Sequence, residues 1–411
     1  MRPRPFASVA CAVLLAACCL SLAACGGHPS PATSSASPRP IRIGAVYNLM
    51  GSQAPLDVPS LDGAFLAVDR INARGGLFGR RVELVVRNGD SNPAVVAKVT
   101  HELIKDGVSA IIGLSDTDQV RAAAPVAAGA GIPFVTSGAT SPQLPEDVPR
   151  WLFLTSFGDN AQAAAAAEYG VRRLKARSVA LLYNGDLEYS RLLARYFEQS
   201  WRAGGGTVAV SEAFHTNESA ERMVQRLRSH GDGDGDSDDP RGAPRYQMVY
   251  VACGPDEAGA ILQDLRDDGI MQPVMGGDSF DSAALTSIAA STGGNVYYTT
   301  HAFLGAGHVT VPVRRFRDLF RAAYGRGPDS AFAALGYDAV DMVAAAIARA
   351  KSPDPAKVRA ALQATRGLRG VTGVTTFEHD GQVPRKPVTI VEVLPPPRLA
   401  AVIVPRLVPR P

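Results

Sequence analysis

The sequence is poor in several features that often assign a protein at once. It has five cysteines in 411 residues, and Cys11, Cys18, Cys19 and Cys25 all lie near the N-terminus. Past that leader only Cys253 remains, which excludes an intramolecular disulfide and a disulfide-stapled fold. Basic residues are scattered singly, with no run of five, and 42 Lys+Arg against 39 Asp+Glu leave a net charge of +3. No nucleic-acid partner is expected from such a distribution. A single segment reads as apolar enough for a membrane, at the extreme N-terminus, which argues against a multi-span membrane protein. Catalytic signatures are equally scarce. There is no Walker lysine loop and no Rossmann glycine fingerprint, and His101-Glu102 lacks the second histidine of a zinc-protease helix. The seven histidines are dispersed and read as surface or structural residues, so no metal, cofactor or catalytic residue is expected.

What is present is a folded, soluble composition, 46% hydrophobic and 20% charged. At ~150 residues per domain the length suggests two or three domains. Arg2 and Arg4 precede an apolar stretch over 6–22, and Leu22-Ala23-Ala24-Cys25-Gly26-Gly27 follows. These residues resemble the lipobox of bacterial lipoproteins, which implies a signal peptide over 1–24 and a lipid on Cys25. Leu15-Ala16-Ala17-Cys18 is a second match, but it leaves an apolar region of only about nine residues, near the lower limit. Removal of 1–24 takes two arginines and no acid, leaving +1. Residues 28–40, rich in Pro, Ser, Ala and Thr, read as part of a flexible tether over 25–40.

The body alternates strand-like and helix-like segments. Strands are expected at 41–47, 82–87, 109–112, 133–136, 178–183, 207–213, 247–252 and 273–276. Between them, helical periodicity or Pro-initiated starts appear at 61–74, 93–105, 118–130, 161–174, 187–203, 220–228 and 256–268. The rotation restarts after Trp151, which implies two α/β lobes, each a mostly parallel sheet flanked by helices. Ligands of open α/β sheets sit beyond the carboxyl ends of the strands, so facing lobes place a site in the cleft between them.

Two segments fall outside this alternation. Residues 231–242 (GDGDGDSDDPRG) alternate aspartates as a calcium loop does, but the twelfth-position glutamate is missing, and a mobile surface loop is the expectation. The Pro-rich tail over 395–411 is expected to be poorly ordered. Gly277-Asp278-Ser279-Phe280 superficially resembles the nucleophile block of GDS-type esterases. It falls too late in the chain for that, and no Asp precedes His301, His308 or His379 at the required spacing, which leaves a secreted esterase as a remote alternative.

From about Ile41 to Val393 the chain is similar to the leucine/isoleucine/valine-binding family of the type I periplasmic-binding fold, the extracytoplasmic solute-binding proteins of ABC importers. The resemblance rests on ordered pieces: Ile43-Gly44-Ala45, Asp62-Gly63-Ala64, the run from Asp69-Arg70-Ile71-Asn72 to Gly75-Gly76-Leu77-Phe78-Gly79, and Ala110-Ile111-Ile112-Gly113. Gly131-Ile132-Pro133-Phe134-Val135-Thr136-Ser137-Gly138-Ala139-Thr140-Ser141-Pro142, Tyr337-Asp338-Ala339 and Phe377-Glu378-His379-Asp380-Gly381 complete it. It implies that Thr117, Gly138 and Thr140 hold the carboxylate and help the ammonium of an amino-acid ligand. It also implies that Tyr189 faces the cleft and that Asp278 pairs with the ammonium. For the two threonines, helix capping is the plainer role; for Tyr189 it is packing. Asp116 stands where the family often has Ser, Leu56 where an aromatic ring is common, and Gly254-Pro255 where another Tyr would come. These departures leave the side-chain preference open. The implied lobes are 41–157 with 301–376 and 158–300 with 377–394, with crossings near Phe157, Thr300 and Phe377. The implied protein is a monomer that captures an amino acid, branched-chain or related, delivers it to ABC permease subunits, and is held outside the cytoplasm by its lipid anchor. A sensory module of the same fold is the alternative.

Overall fold

The computed structural model describes residues 39–216, 218–231, 245–307, 309–379, 381–394 and 400–407. The lipidation motif, nearly all of the tether and all but Gly231 of the acidic insert lie outside them. The first half runs β1 (Ile41–Tyr47), α1 (Ala54–Ala73), β2 (Val82–Asn88), α2 (Pro93–Lys105), β3 (Ile111–Gly113), α3 (Thr117–Gly129), β4 (Phe134–Thr136), α4 (Leu144–Asp147) and β5 (Leu152–Leu154). Then come α5 (Asp159–Arg172), β6 (Ser178–Asn184), α6 (Glu188–Ala203), β7 (Thr207–Phe214), α7 (Ala220–Gly231), β8 (Met248–Ala252), α8 (Ala258–Asp267) and β9 (Val274–Gly276). A single turn of 3-10 helix (Asp278–Phe280) leads to α9 (Ala283–Ser291), β10 (Val296–Thr300), α10 (Val311–Tyr324), α11 (Ala331–Ala350) and α12 (Pro355–Gln363). The chain ends with β11 (Leu368–Arg369), β12 (Val374–Thr375), β13 (Val388–Val393) and β14 (Ala400–Leu407).

The strands form two large sheets. The first is all parallel in the order β2-β1-β3-β4-β5. Its inner strands β3 and β4 and most of β1 are apolar because helices cover both faces, while the edge strand β2 (VELVVRN) is mixed and half-buried. Val96, Leu103, Val120 and Ala124 of α2 and α3 pack one face; Ala64 and Val68 of α1, Phe316 and Phe320 of α10, and Val343 and Ile347 of α11 pack the other. The second sheet is ordered β14-β13-β10-β9-β8-β6-β7, with β13 antiparallel to both its neighbours, β10 and β14, and the other pairs parallel. Phe197 and Trp201 of α6 pack one face, and Leu227 of α7 and Ile261 of α8 the other.

Three expectations are corrected. Helix α1 starts seven residues before the predicted 61. Pro55 sits in its first turn, where a missing N–H costs nothing, and burial of Leu56, Asp57, Pro59 and Ser60 obscures the helical period there. The tail is not unstructured over Ala400–Leu407: its backbone pairs antiparallel with β13 and extends the second sheet at its edge. The reading of one membrane-compatible segment also missed α11, whose mean hydropathy of 1.5 suits a span. It is 83% buried over that window, which makes it a core helix. It crosses α1 at Gly63 and Gly336, where an added Cβ would meet a backbone oxygen at 1.7 or 1.9 Å, so only glycine permits the approach.

Asp338 of the Tyr337-Asp338-Ala339 piece accepts from Val371 N (2.7 Å), Thr372 N (2.9 Å) and Thr372 Oγ1 (2.6 Å), and so fixes the loop after β11. Thr372 Oγ1 in turn receives the ammonium of buried Lys386 at 2.8 Å. Leu154 N donates to Gln382 O at 3.0 Å, so the segment past Phe377 still lies along β5.

Candidate functional site

A cavity lies between the carboxyl ends of the two sheets, with ≈ 10 Å³ of free space, room for about one water. From the first sheet it is lined by Gln53 and Leu56, which follow β1, and by Ser115 and Asp116, which follow β3. From the second it is lined by Leu187 and Tyr189 after β6, Gly254 and Pro255 after β8, and Asp278 and Ser279 after β9. Strand order reverses between β1 and β3 in one sheet and between β6 and β8 in the other. The loops diverge at such points and leave a crevice, which is why the lining comes from them.

Asp278 is the centre of the second wall. Its Oδ1 accepts from Gln162 Nε2 and from the Tyr189 hydroxyl, each at 2.8 Å, and its Oδ2 lies 3.0 Å from His301 Nε2. Its own N–H donates to Gln162 Oε1 at 3.0 Å. The His301 ring stacks on Phe157 with centroids 4.0 Å apart. Burial lowers the affinity of His301 for a second proton, against the pull of Asp278. Tyr189 and Asp278, both expected at the site, are thus brought together. The Ser279 hydroxyl donates instead to Cys253 O at 2.8 Å, so the esterase-like block has no base on its serine.

The first wall is less complete. Thr117 opens α3, is fully buried, and its Oγ1 has no hydrogen-bond partner. Gly138 sits in the buried turn after β4, where a Cβ would come within 2.6 Å of Ser115 and 2.9 Å of Phe332. Its N–H has only a long 3.4 Å contact to Thr136 Oγ1. Thr140 is turned toward the crossing to α5: its carbonyl accepts from Asp159 N at 2.8 Å. These three residues lie behind the lining. Asp116, singled out as a departure, is the N-cap of α3, accepting from Gln119 N at 3.0 Å, and also lines the cavity.

The electrostatics are one-sided. Burial pushes Asp57 up to about 6 and, aided by Asp118, Asp116 up to about 7. Burial and then the charge of Asp278 push Asp159 up to about 7. Asp281 is raised by burial to about 6; its Oδ2 accepts from Thr300 Oγ1 (2.5 Å) and Ala331 N (3.0 Å) at the crossing after β10. At the rim, Glu188 N donates to Asp118 Oδ2 at 3.0 Å, and Arg121 lies 2.9 Å from Glu188, so α3 and α6 touch across the cleft. Gln162, His301, Asp57 and Asp159 were missed by sequence reasoning. Gln162, His301 and Asp159 flank the expected crossings near Phe157 and Thr300; polar residues beside a crossing were the available signal.

The family described as periplasmic binding protein matches residues 40–395. The chain is similar to a leucine-, isoleucine-, valine-, threonine- and alanine-binding protein of Pseudomonas aeruginosa, at 24% identity over 80% of this chain and 83% of that one. It is also similar to a Leu/Ile/Val-binding protein of Escherichia coli K12, at 24% over 84% and 88%. Among solved structures, the substrate-binding protein LivJ of a branched-chain amino acid transporter from Streptococcus pneumoniae, in complex with isoleucine, superposes with TM-score 0.78. That match has 29% identity and covers 89% of this chain and all of that one.

Proposed function

Since the chain belongs to the periplasmic binding protein family, we propose that it captures an amino acid or a related small solute, branched-chain in the first instance, and hands it to an ABC permease. The observation that carries this reading is the cavity between two sheets, with a carboxylate on the second wall already oriented by Gln162, Tyr189 and His301. A ligand ammonium placed there meets an anion held in position before binding, so little ordering remains to be done. Thr117, Gly138 and Thr140, which lie just behind the lining, are assigned to the first-lobe end of the ligand, and Thr117 Oγ1 has no hydrogen-bond partner among the described residues. Opening requires the lobes to part at the rim contacts of Asp118, Arg121 and Glu188 and to pivot at three crossings. We place these at 155–158, 300–302 and 386–388; the last lies beyond Phe377 because Gln382 and Lys386 are still bonded to first-lobe partners.

A ligand that binds only the closed form raises the melting temperature by mass action, with ~2.7 kcal/mol at a hundred times Kd. A thermal-shift screen of free amino acids, small amides and sugars tests the reading; no shift with any of them overturns it. We further assign lipid anchorage outside the cytoplasm to Cys25, on the strength of its motif. Cys25→Ala is expected to leave the membrane fraction, and equal retention of the variant refutes the anchor.

A further inference from the structure

The cavity carries a carboxylate on each wall, Asp116 and Asp278, and none of its lining residues is lysine or arginine. Two fully buried carboxylates stand behind them. Asp57 acts on Asp116, and Asp159 feels both Asp278 and Asp116. Asp57 accepts from Asn48 N and Nδ2 at 2.8 and 2.9 Å, and Asp159 from Gln162 Nε2 at 2.9 Å; these partners are neutral and bring no counter-charge. Among the described residues, the basic side chain bonded to these carboxylates is His301, which is already committed to Asp278, and burial works against its protonation. Buried charge of one sign needs a counter-charge, or the carboxyls take up protons instead. Helix capping does not account for Asp116, because Ser, Thr or Asn caps the same N–H groups without a charge. A ligand carboxylate on this wall would add an anion beside Asp116.

Resting on the amino-acid-related reading above, we infer that the preferred solute is a net cation: an amine with either a second positive group or no carboxylate, its positive charge shared between Asp278 and the Asp116 side of the cleft. Such a ligand supplies the missing counter-charge when the lobes close over it. A zwitterion of the same size leaves the first wall with an uncompensated anion.

The test is titration calorimetry at neutral pH with two matched pairs, L-norleucine against L-lysine and L-leucine against L-leucinamide. Within each pair the apolar skeleton is nearly constant and the net charge rises by one. The expected result is that at least one charged member binds about tenfold tighter than its neutral partner, and that Asp116→Asn, which keeps the cap, removes most of that preference. Tighter binding of leucine and norleucine than of both partners overturns the inference and leaves the receptor reading standing. So does a preference for the charged members that is unchanged in Asp116→Asn with the same circular dichroism, because the assignment to the Asp116 side then fails. Absence of binding by all four compounds overturns the inference, and the receptor reading then stands or falls by the wider thermal-shift screen.

Discussion

On the second-sheet wall of the cleft, Asp278 accepts from Gln162 and Tyr189 through one oxygen and meets His301 through the other. On the first-sheet wall, Asp116 caps α3 through Gln119 N, and the Ser115 and Thr117 hydroxyls are buried with no partner among the described residues. The carboxylate of the second wall is held by three side chains and that of the first by backbone; what is left open is a pair of hydroxyls on the first and His301 Nδ1 on the second. A wall whose groups satisfy one another is stable without ligand and presents a fixed surface. A wall with open donors and acceptors carries a standing desolvation penalty that a ligand relieves. On the proposed reading, the second wall orients the ligand and the first carries much of the dependence on ligand chemistry.

The largest way to break the contrast is Asp278→Ala. It removes the hub of the finished wall and strands Gln162, Tyr189 and His301. Loss of one partner of a buried charge pair is expected to weaken binding by ~2–5 kcal/mol, about 30-fold to several-thousand-fold. Calorimetry with the best ligand, beside circular dichroism to confirm folding, reads it; wild-type affinity removes Asp278 from the site.

Acid sharpens the contrast next. A carboxyl whose pKa is raised by folding binds its proton more tightly in the folded state, so stability falls as pH climbs from about 4 through the raised values. Those values are about 6 for Asp57 and Asp281 and about 7 for Asp116 and Asp159. His301 works the other way, because its lowered pKa adds stability as pH rises toward its ordinary 6.5, but it is one group against four. Lys386, lowered to about 8, acts only at higher pH. The ligand-free protein is expected to melt higher at about pH 5 than at about pH 7.5, and Asp116→Asn with Asp159→Asn should remove much of that difference. An unchanged melting temperature across this range in the wild type contradicts the one-sided electrostatics.

The smallest effect is expected from Thr117→Val. With no protein partner for Oγ1, the ligand-free form should be as stable as wild type or slightly more so. Binding should weaken by ~0.5–1.5 kcal/mol, the value of one hydroxyl contact. A variant that loses stability and keeps its affinity would show the hydroxyl to be structural.

Much of the fold was legible because parallel strands buried on both faces leave apolar runs such as Ile41–Tyr47 and Met248–Ala252. Proline gave the start of α2 to the residue. The short β5 and the single-turn α4 carry too few residues for a period. In α11, burial reaches Asp338 and nearly every side, which erases amphipathicity. At the site, Asp278 and Tyr189 were legible through the family resemblance. His301 and Gln162 were not, because their roles depend on β10 and α5 meeting the turn after β9, across 23 and 116 positions of chain.

The glycine contact between α1 and α11 has a mechanical consequence. With Gly63 and Gly336 admitting backbone to backbone, the two helices touch there without side chains between them, and Arg70 ties them further along to Asp341 and Tyr337. Their N-terminal ends lie together: the N–H of Ala331 is fastened to Asp281, which also holds Thr300 at the end of β10, and Leu56, packed on Phe332 and Leu335, lines the cavity. A displacement at the end of β10 therefore reaches the cavity wall through a few residues of tightly packed helix, with no loop between them to absorb it.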